Sequence, residues 1–161
     1  MKIRALGEGD LHALSEFILD AYHDYPLAMW FKEEPTQSQL ESIFYNKIKS
    51  MGSRDLIDIV TEENGTIAGE CEIAKIDFGS GIIGILVRHG YRSKSIGSEM
   101  MRMAIDDAVD IGITKFTAEV AQENADALKF FLRNGFVPIG YRKIESGDAL
   151  RTVAVLQHAI R

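Results

Sequence analysis

Ile82-Ile83-Gly84-Ile85-Leu86-Val87, then Arg88-His89-Gly90-Tyr91, then Arg92-Ser93-Lys94-Ser95-Ile96-Gly97-Ser98: these three consecutive pieces decide the fold. The branched apolar run reads as a strand. The polar piece reads as a turn, and after it Ile96, Met100, Met103, Ala104, Ala108 and Ile111 recur at helical spacing until Gly112 closes the helix. Lys115 to Ala121 is strand-like again. A strand, a helix and a second strand in that order predict a crossover connecting parallel strands. The turn itself predicts an anion site. The first amides of a helix have no internal partners and the macrodipole adds positive potential there, so a phosphate can accept those N–H groups. Gly97 would let a ligand approach, and Arg92 and Lys94 add charge. Taken alone, the segment reads equally well as an ordinary solvated turn.

Upstream, a strand around Ile3 to Leu6 leads to a helix with Leu11, Leu14, Ile18 and Ala21 on one stripe. Tyr25 to Phe31 breaks the pattern, and Pro35 is expected to open a second helix carrying Leu40, Ile43, Phe44 and Ile48. Leu56 to Val60 and Thr66 to Phe78 are strand-like around an Asn64-Gly65 hairpin signal, and Gly79-Ser80-Gly81 turns into the strand 82–87. Downstream, Asn124 caps a helix that runs through Leu128, Phe131 and Leu132 to Asn134-Gly135, and strands follow over 136–144 and 150–159. The order is β-α-α-β-β-β-α-β-α-β-β. It describes an α/β protein with a mixed sheet of about seven strands and flanking helices, occupying residues 1–161 as one domain.

Composition narrows the function. With 46% hydrophobic and 26% charged residues the chain matches a globular protein, which excludes collagen, disulfide scaffolds and extended disorder. The net charge of −6 opposes nucleic-acid binding. No apolar run approaches the roughly 20 residues of a membrane span, and Met1-Lys2-Ile3-Arg4 enters a strand pattern without a signal core. A cytoplasmic protein is expected. Cys71 is alone and reads as a small buried hydrophobe.

Several motif matches fail on context. Gly79-Ser80-Gly81-Ile82-Ile83-Gly84 spells the dinucleotide fingerprint, but a strand follows where a helix is needed. Lys94-Ser95 lacks the preceding glycines of a P-loop. His12, His23, His89 and His158 are scattered with no ligand spacing, so no metal is expected. No Gly-x-Ser-x-Gly elbow exists, and Cys71 has no evident base.

Glu119-Val120-Ala121-Gln122-Glu123-Asn124, followed by Ala127, Leu128, Phe131 and Gly135-Phe136, gives the turn a second anchor. Together the two segments resemble the GNAT superfamily of acyl-CoA-dependent N-acetyltransferases. Arg92 to Gly97 looks like its Q/R-x-x-G-x-G/A pyrophosphate loop, and Asn124 to Phe136 like its N-x-x-A-x-x-[FL]-Y-x-[KR]-x-G-F segment; the match covers roughly the second half of the chain. The resemblance implies acetyl-CoA as co-substrate and no metal. Ile85, Leu86 and Val87 would offer strand backbone to the pantetheine arm. Arg92, Ser93, Lys94, Ser95, Ile96, Gly97 and Ser98 would hold the pyrophosphate, Asn124 would touch the pantetheine, and Arg133 would lie near the nucleotide phosphates.

Two positions depart from the family pattern. Ser95 replaces the loop's first glycine, and Phe131 replaces the tyrosine that protonates the departing thiolate, a role that Tyr141 or water could fill. An attacking ammonium must lose a proton. Glu119 matches the glutamate of members that acetylate protein N-termini, with Glu70 and Glu72 in reserve, and the Val87 amide would hold the oxyanion. The resemblance places acceptor choice in the loop after the first helix, with Tyr25 and Trp30, and in the last hairpin, with Tyr141; the aromatics could equally close the core. The expected reaction is acetyl transfer to a primary amine by direct attack in a ternary complex. A protein N-terminus is the expected acceptor; the alternatives are a polyamine, amino acid or antibiotic, or a regulatory module that binds acyl-CoA without catalysis. A homo-oligomer is compatible with the sequence.

Overall fold

The chain runs β1 (Lys2–Ala5), α1 (Leu11–Asp24), α2 (Gln37–Gly52), β2 (Leu56–Glu63), β3 (Thr66–Asp77), β4 (Ser80–Val87), a 3₁₀ turn (His89–Tyr91), α3 (Ile96–Asp110), β5 (Lys115–Ala121), α4 (Ala125–Arg133), β6 (Val137–Ser146) and β7 (Ala149–Ala159). This computed structural model describes residues 1–25, 31, 33–92, 95–146 and 149–160; Trp30, Ser93 and Lys94 lie outside them. The expected element order is present, with the 3₁₀ turn in addition. One α/β domain is built around a seven-stranded sheet in the order β1-β2-β3-β4-β5-β7-β6, antiparallel except where β4 meets β5.

Local chemistry sets the ends. Asn64 and Gly65 take φ of 52° and 81°, the left-handed pair of a tight hairpin. Thr36, and not Pro35, starts α2: its hydroxyl accepts from the Gln39 amide while the Gln39 side chain accepts from the Thr36 amide, a reciprocal cap. Asp10 precedes α1 without capping it through its side chain. Its carboxylate takes two bonds from Arg4, at 2.7 and 2.9 Å, and one from the Gly7 amide, tying β1 to α1. The Arg4 guanidinium holds the Asp10 carboxyl below the usual carboxylate range.

The sheet divides two apolar layers. Ile59, Cys71, Ile73, Ile83, Phe116 and Val120 pack with Met100 and Ala104 of α3 and Phe131 of α4. On the opposite face Leu14 and Phe17 of α1 and Leu40 and Phe44 of α2 pack with Val60 and Ile67. Cys71 is fully buried and burial pushes its thiol up, in keeping with the inert role expected of it.

One irregularity positions the site. β5 pairs with β7 along its whole length, from Lys115–Ala159 to Ala121–Val153, whereas β4 pairs with β5 only from Ser80–Lys115 to Ile82–Thr117. Beyond that point the two strands part.

Candidate functional site

Which backbone edges face the parting follows from alternation. The Arg88 amide donates to the Ala68 carbonyl at 2.9 Å, so the even residues of β4 bond to β3 and Ile83, Ile85 and Val87 turn their peptide groups toward β5. Gln122 donates to the Thr152 carbonyl at 3.1 Å, so Thr117, Glu119 and Ala121 turn theirs toward β4. Two strand edges thus face one another without pairing. An extended molecule with its own amides can pair with such an edge as an added strand would.

Beyond the edge of β4 stands the N-terminus of α3. The Glu99 amide bonds back to the Ser95 carbonyl at 3.0 Å, which leaves the amides of Ile96, Gly97 and Ser98 ahead of the first intrahelical bond. Ser95 has φ 62°, a left-handed conformation in which a side chain costs roughly 1–2 kcal/mol. Glycine would be unstrained there. Ser95→Gly is expected to stabilise the protein by about 0.5–1 kcal/mol net, since glycine also loses more entropy on folding, and to raise Tm by a few degrees in calorimetry. Gly97, which lines the cavity, also has a packing role. A Cβ there would lie 3.0 Å from Cε2 of Phe130, so the glycine lets α4 close against α3.

The end of β4, the start of α3 and one face of α4 enclose a cavity of ≈ 840 Å³. Ile85, Leu86, Val87, Arg92, Ser95, Ile96, Gly97, Ser98, Asn124 and Arg133 line it, so these ten sequence candidates share one cleft, and Tyr25 joins them. Asn124 uses its side-chain oxygen to cap α4, accepting from the Ala127 amide at 3.3 Å. Arg92 is engaged: Nε donates to the Val87 carbonyl at 3.0 Å, the guanidinium lies 5.2 Å from the Tyr25 ring centroid, and Nη1 is 3.9 Å from Asp126. Lys129 and Arg133 stand one turn apart on α4 and both line the cavity; among the described residues neither is ion-paired.

Other candidates lie elsewhere. Phe131 is buried in the α3-side core, edge to face with Phe136, and its neighbour Phe130 takes the cavity wall. Glu119 is outside the cavity: it alternates with the buried Ala118 and Val120, so it faces the α1 and α2 side of the sheet, where Arg142 Nη2 meets its two oxygens at 2.7 and 2.9 Å. Tyr141 pairs with Ala154, whose side chain belongs to the α3-side core, so it sits on the face opposite to Glu119 and is largely exposed. Phe130, Lys129 and His89 were missed. The i, i+4 spacing of Lys129 and Arg133 was the available signal for Lys129.

An unpaired strand edge leading to a helix N-terminus flanked by cations defines a class: an α/β protein that holds an extended, phosphate-bearing ligand. Residues 16–136 match the acetyltransferase (GNAT) family, and the chain belongs to it. No curated protein matches the chain by sequence. In structure it is similar to the ribosomal-protein-alanine N-acetyltransferase of Brucella melitensis, with TM-score 0.84 and 19% identity over 99% of this chain and 100% of that one. It is also similar to RimL, a ribosomal L7/L12 alpha-N-protein acetyltransferase in complex with coenzyme A, with TM-score 0.85 and 16% identity over 98% and 93% of the two chains. A spermidine N-acetyltransferase of Vibrio cholerae is similar with TM-score 0.73 and 22% identity over 99% and 95%.

Proposed function

We propose that residues 1–161 act as one unit in the cytoplasm, moving the acetyl group of acetyl-CoA to a primary amine by direct attack in a ternary complex, with a protein N-terminal α-amino group as acceptor. The parting of β4 from β5 beside the α3 N-terminus carries the reading. The residues fit the donor. The Ile85 and Val87 edge suits the amides of a pantetheine arm, the amides of 96–98 with Arg92 and its turn suit a pyrophosphate, and Lys129 and Arg133 suit the nucleotide phosphates. Bound acetyl-CoA supplies an activated thioester carbonyl. The Val87 amide stabilises charge developing on that oxygen, and Glu119 takes the proton from the incoming ammonium, directly or through water.

The donor cleft is lined by α3 and α4, and Glu119 faces the opposite side of the sheet, so the two substrates meet through the parting from opposite faces. The β6–β7 hairpin, with Arg142 on Glu119, borders the acceptor side, and the structurally similar ribosomal-protein acetyltransferases support a peptide there. A small cationic amine is the second reading. Glu70 and Glu72 lie on the same face as Glu119, and Glu72 pairs with Gly84, where a Cβ would meet open space. Calorimetric titration with acetyl-CoA, followed by thiol release against N-terminal peptides and polyamines, tests both. Binding with release for peptides supports the reading, release for polyamines alone replaces it with the second, and binding without release for any amine leaves a regulatory module.

A further inference from the structure

Collapse of the acetyl adduct leaves a thiolate, and Phe131, buried in the core, has no proton for it. We propose that Tyr25, from the end of α1, supplies that proton; this rests on the acetyltransferase reading above. Of the five tyrosines, only Tyr25 and Tyr91 line the cavity. Tyr91 is half-buried against the α3-side core. Tyr25 is held beside the end of β4. Its hydroxyl accepts from the His89 amide at 2.7 Å, two residues beyond Val87, and its ring lies 4.6 Å from that of His89. Arg92 joins the two ends, stacked on Tyr25 and bonded to the Val87 carbonyl. A phenol that accepts from a backbone amide keeps its O–H free to donate, and here the cavity is shared with Leu86 and Val87.

The step balances without a further reactant. As the C–S bond breaks its electron pair moves onto sulfur, and the Tyr25 hydroxyl gives its proton to sulfur. The phenolate left behind is stabilised by the His89 amide and regains a proton from solvent; the nitrogen loses two protons, one from the ammonium before attack and one from the adduct as it collapses, so one replaces the phenol's proton and the other is released. The charged and titratable groups that share the cavity with it are Asp24 on α1, His89, Tyr91 and Arg92 beyond β4, and Asp126, Lys129 and Arg133 of α4.

Tyr25→Phe keeps the ring against His89 and Arg92 and removes only the hydroxyl. Expected near neutral pH is a loss in kcat of about 10²-fold, the low end for general acid help, with calorimetric affinity for CoA unchanged. The deficit should shrink above the ordinary thiol pKa of roughly 8.5, where thiolate leaves unassisted. In the CoA complex, thiolate ultraviolet absorbance should show the bound thiol ionising about one pH unit higher in the variant, because a hydrogen bond to the charged form is gone. Wild-type turnover in Tyr25→Phe overturns the role, as does a deficit constant across pH or an unmoved thiol titration. If wild-type protein releases no thiol from acetyl-CoA with any amine, the acetyltransferase reading itself fails and takes this role with it.

Discussion

Glu119→Gln is expected to lower kcat/KM by about 10³-fold while leaving CoA affinity and Tm nearly unchanged. The amide keeps the shape of the carboxylate and cannot accept a proton at working pH. The carboxylate is accessible to this duty although Arg142 contacts both oxygens, because each oxygen retains a further lone pair. Stability should barely move: Arg142 is exposed, and water screens its ion pair with Glu119. Steady-state kinetics against pH check the assignment. Full kcat/KM in the variant with normal CoA binding would sink the role and move it to Glu70 or Glu72.

Lys47→Met is expected to destabilise the fold by about 3–5 kcal/mol, the cost of removing one partner from a buried charged group. Lys47 reaches from α2 to Asp58 and Glu70, at 3.0 Å each, and to Glu72. Burial alone would lower the Lys47 ammonium, but the three carboxylates outweigh it and raise its pKa. Asp58 is 1% exposed, its Oδ1 finds no hydrogen-bond donor, and burial with Glu70 beside it pushes its carboxyl well above the ordinary value. Without the ammonium nothing opposes that repulsion. At 2–4 °C per kcal/mol for a chain of this size, Tm should fall by about 10 °C near neutral pH.

The sign of the pH dependence is determined as well. A carboxyl raised in the folded state binds more protons there than in the unfolded chain, so stability falls as pH rises from the unfolded value toward the folded one. Removing Lys47 raises the folded value further, so the variant should be weakest at high pH and recover part of its deficit on mild acidification. Melting curves across pH check this. A Tm within about 2 °C of wild type near neutral pH would show that the carboxylates relax without their counter-ion.

Periodicity and turn chemistry alone specified the elements. Asn64-Gly65, the stripe from Ile96 to Ile111 and the Asn124 cap are local signals, each acting within a turn or two of chain, and each holds in the structure. The cavity proposed to take the donor was legible for a similar reason. Ile85 to Val87 and Ser95 to Ser98 are close in sequence, and a strand feeding a helix brings them together whatever the rest of the chain does. Start positions were less secure: Thr36 outcompetes Pro35 as the start of α2 because its cap bonds are made with Gln39.

Long-range packing decided the rest. Which of two adjacent phenylalanines meets the cavity depends on the angle at which α4 lies on α3, set by Gly97, and it selects Phe130 over Phe131. Tyr25 reaches the cleft because α1 is pinned to β4 by Arg88, which bonds Asp20 at 2.5 Å and the Ile67 carbonyl at 2.8 Å. Tyr141 and Glu119 fall on opposite faces through strand register, where a shift of one residue would exchange them. Residue types and short spacings are properties of the chain itself, so they carried the family resemblance and the donor side. The proposed acid, the proposed base and the proposed acceptor face join residues dozens of positions apart, and only the packed sheet determines which of them meet.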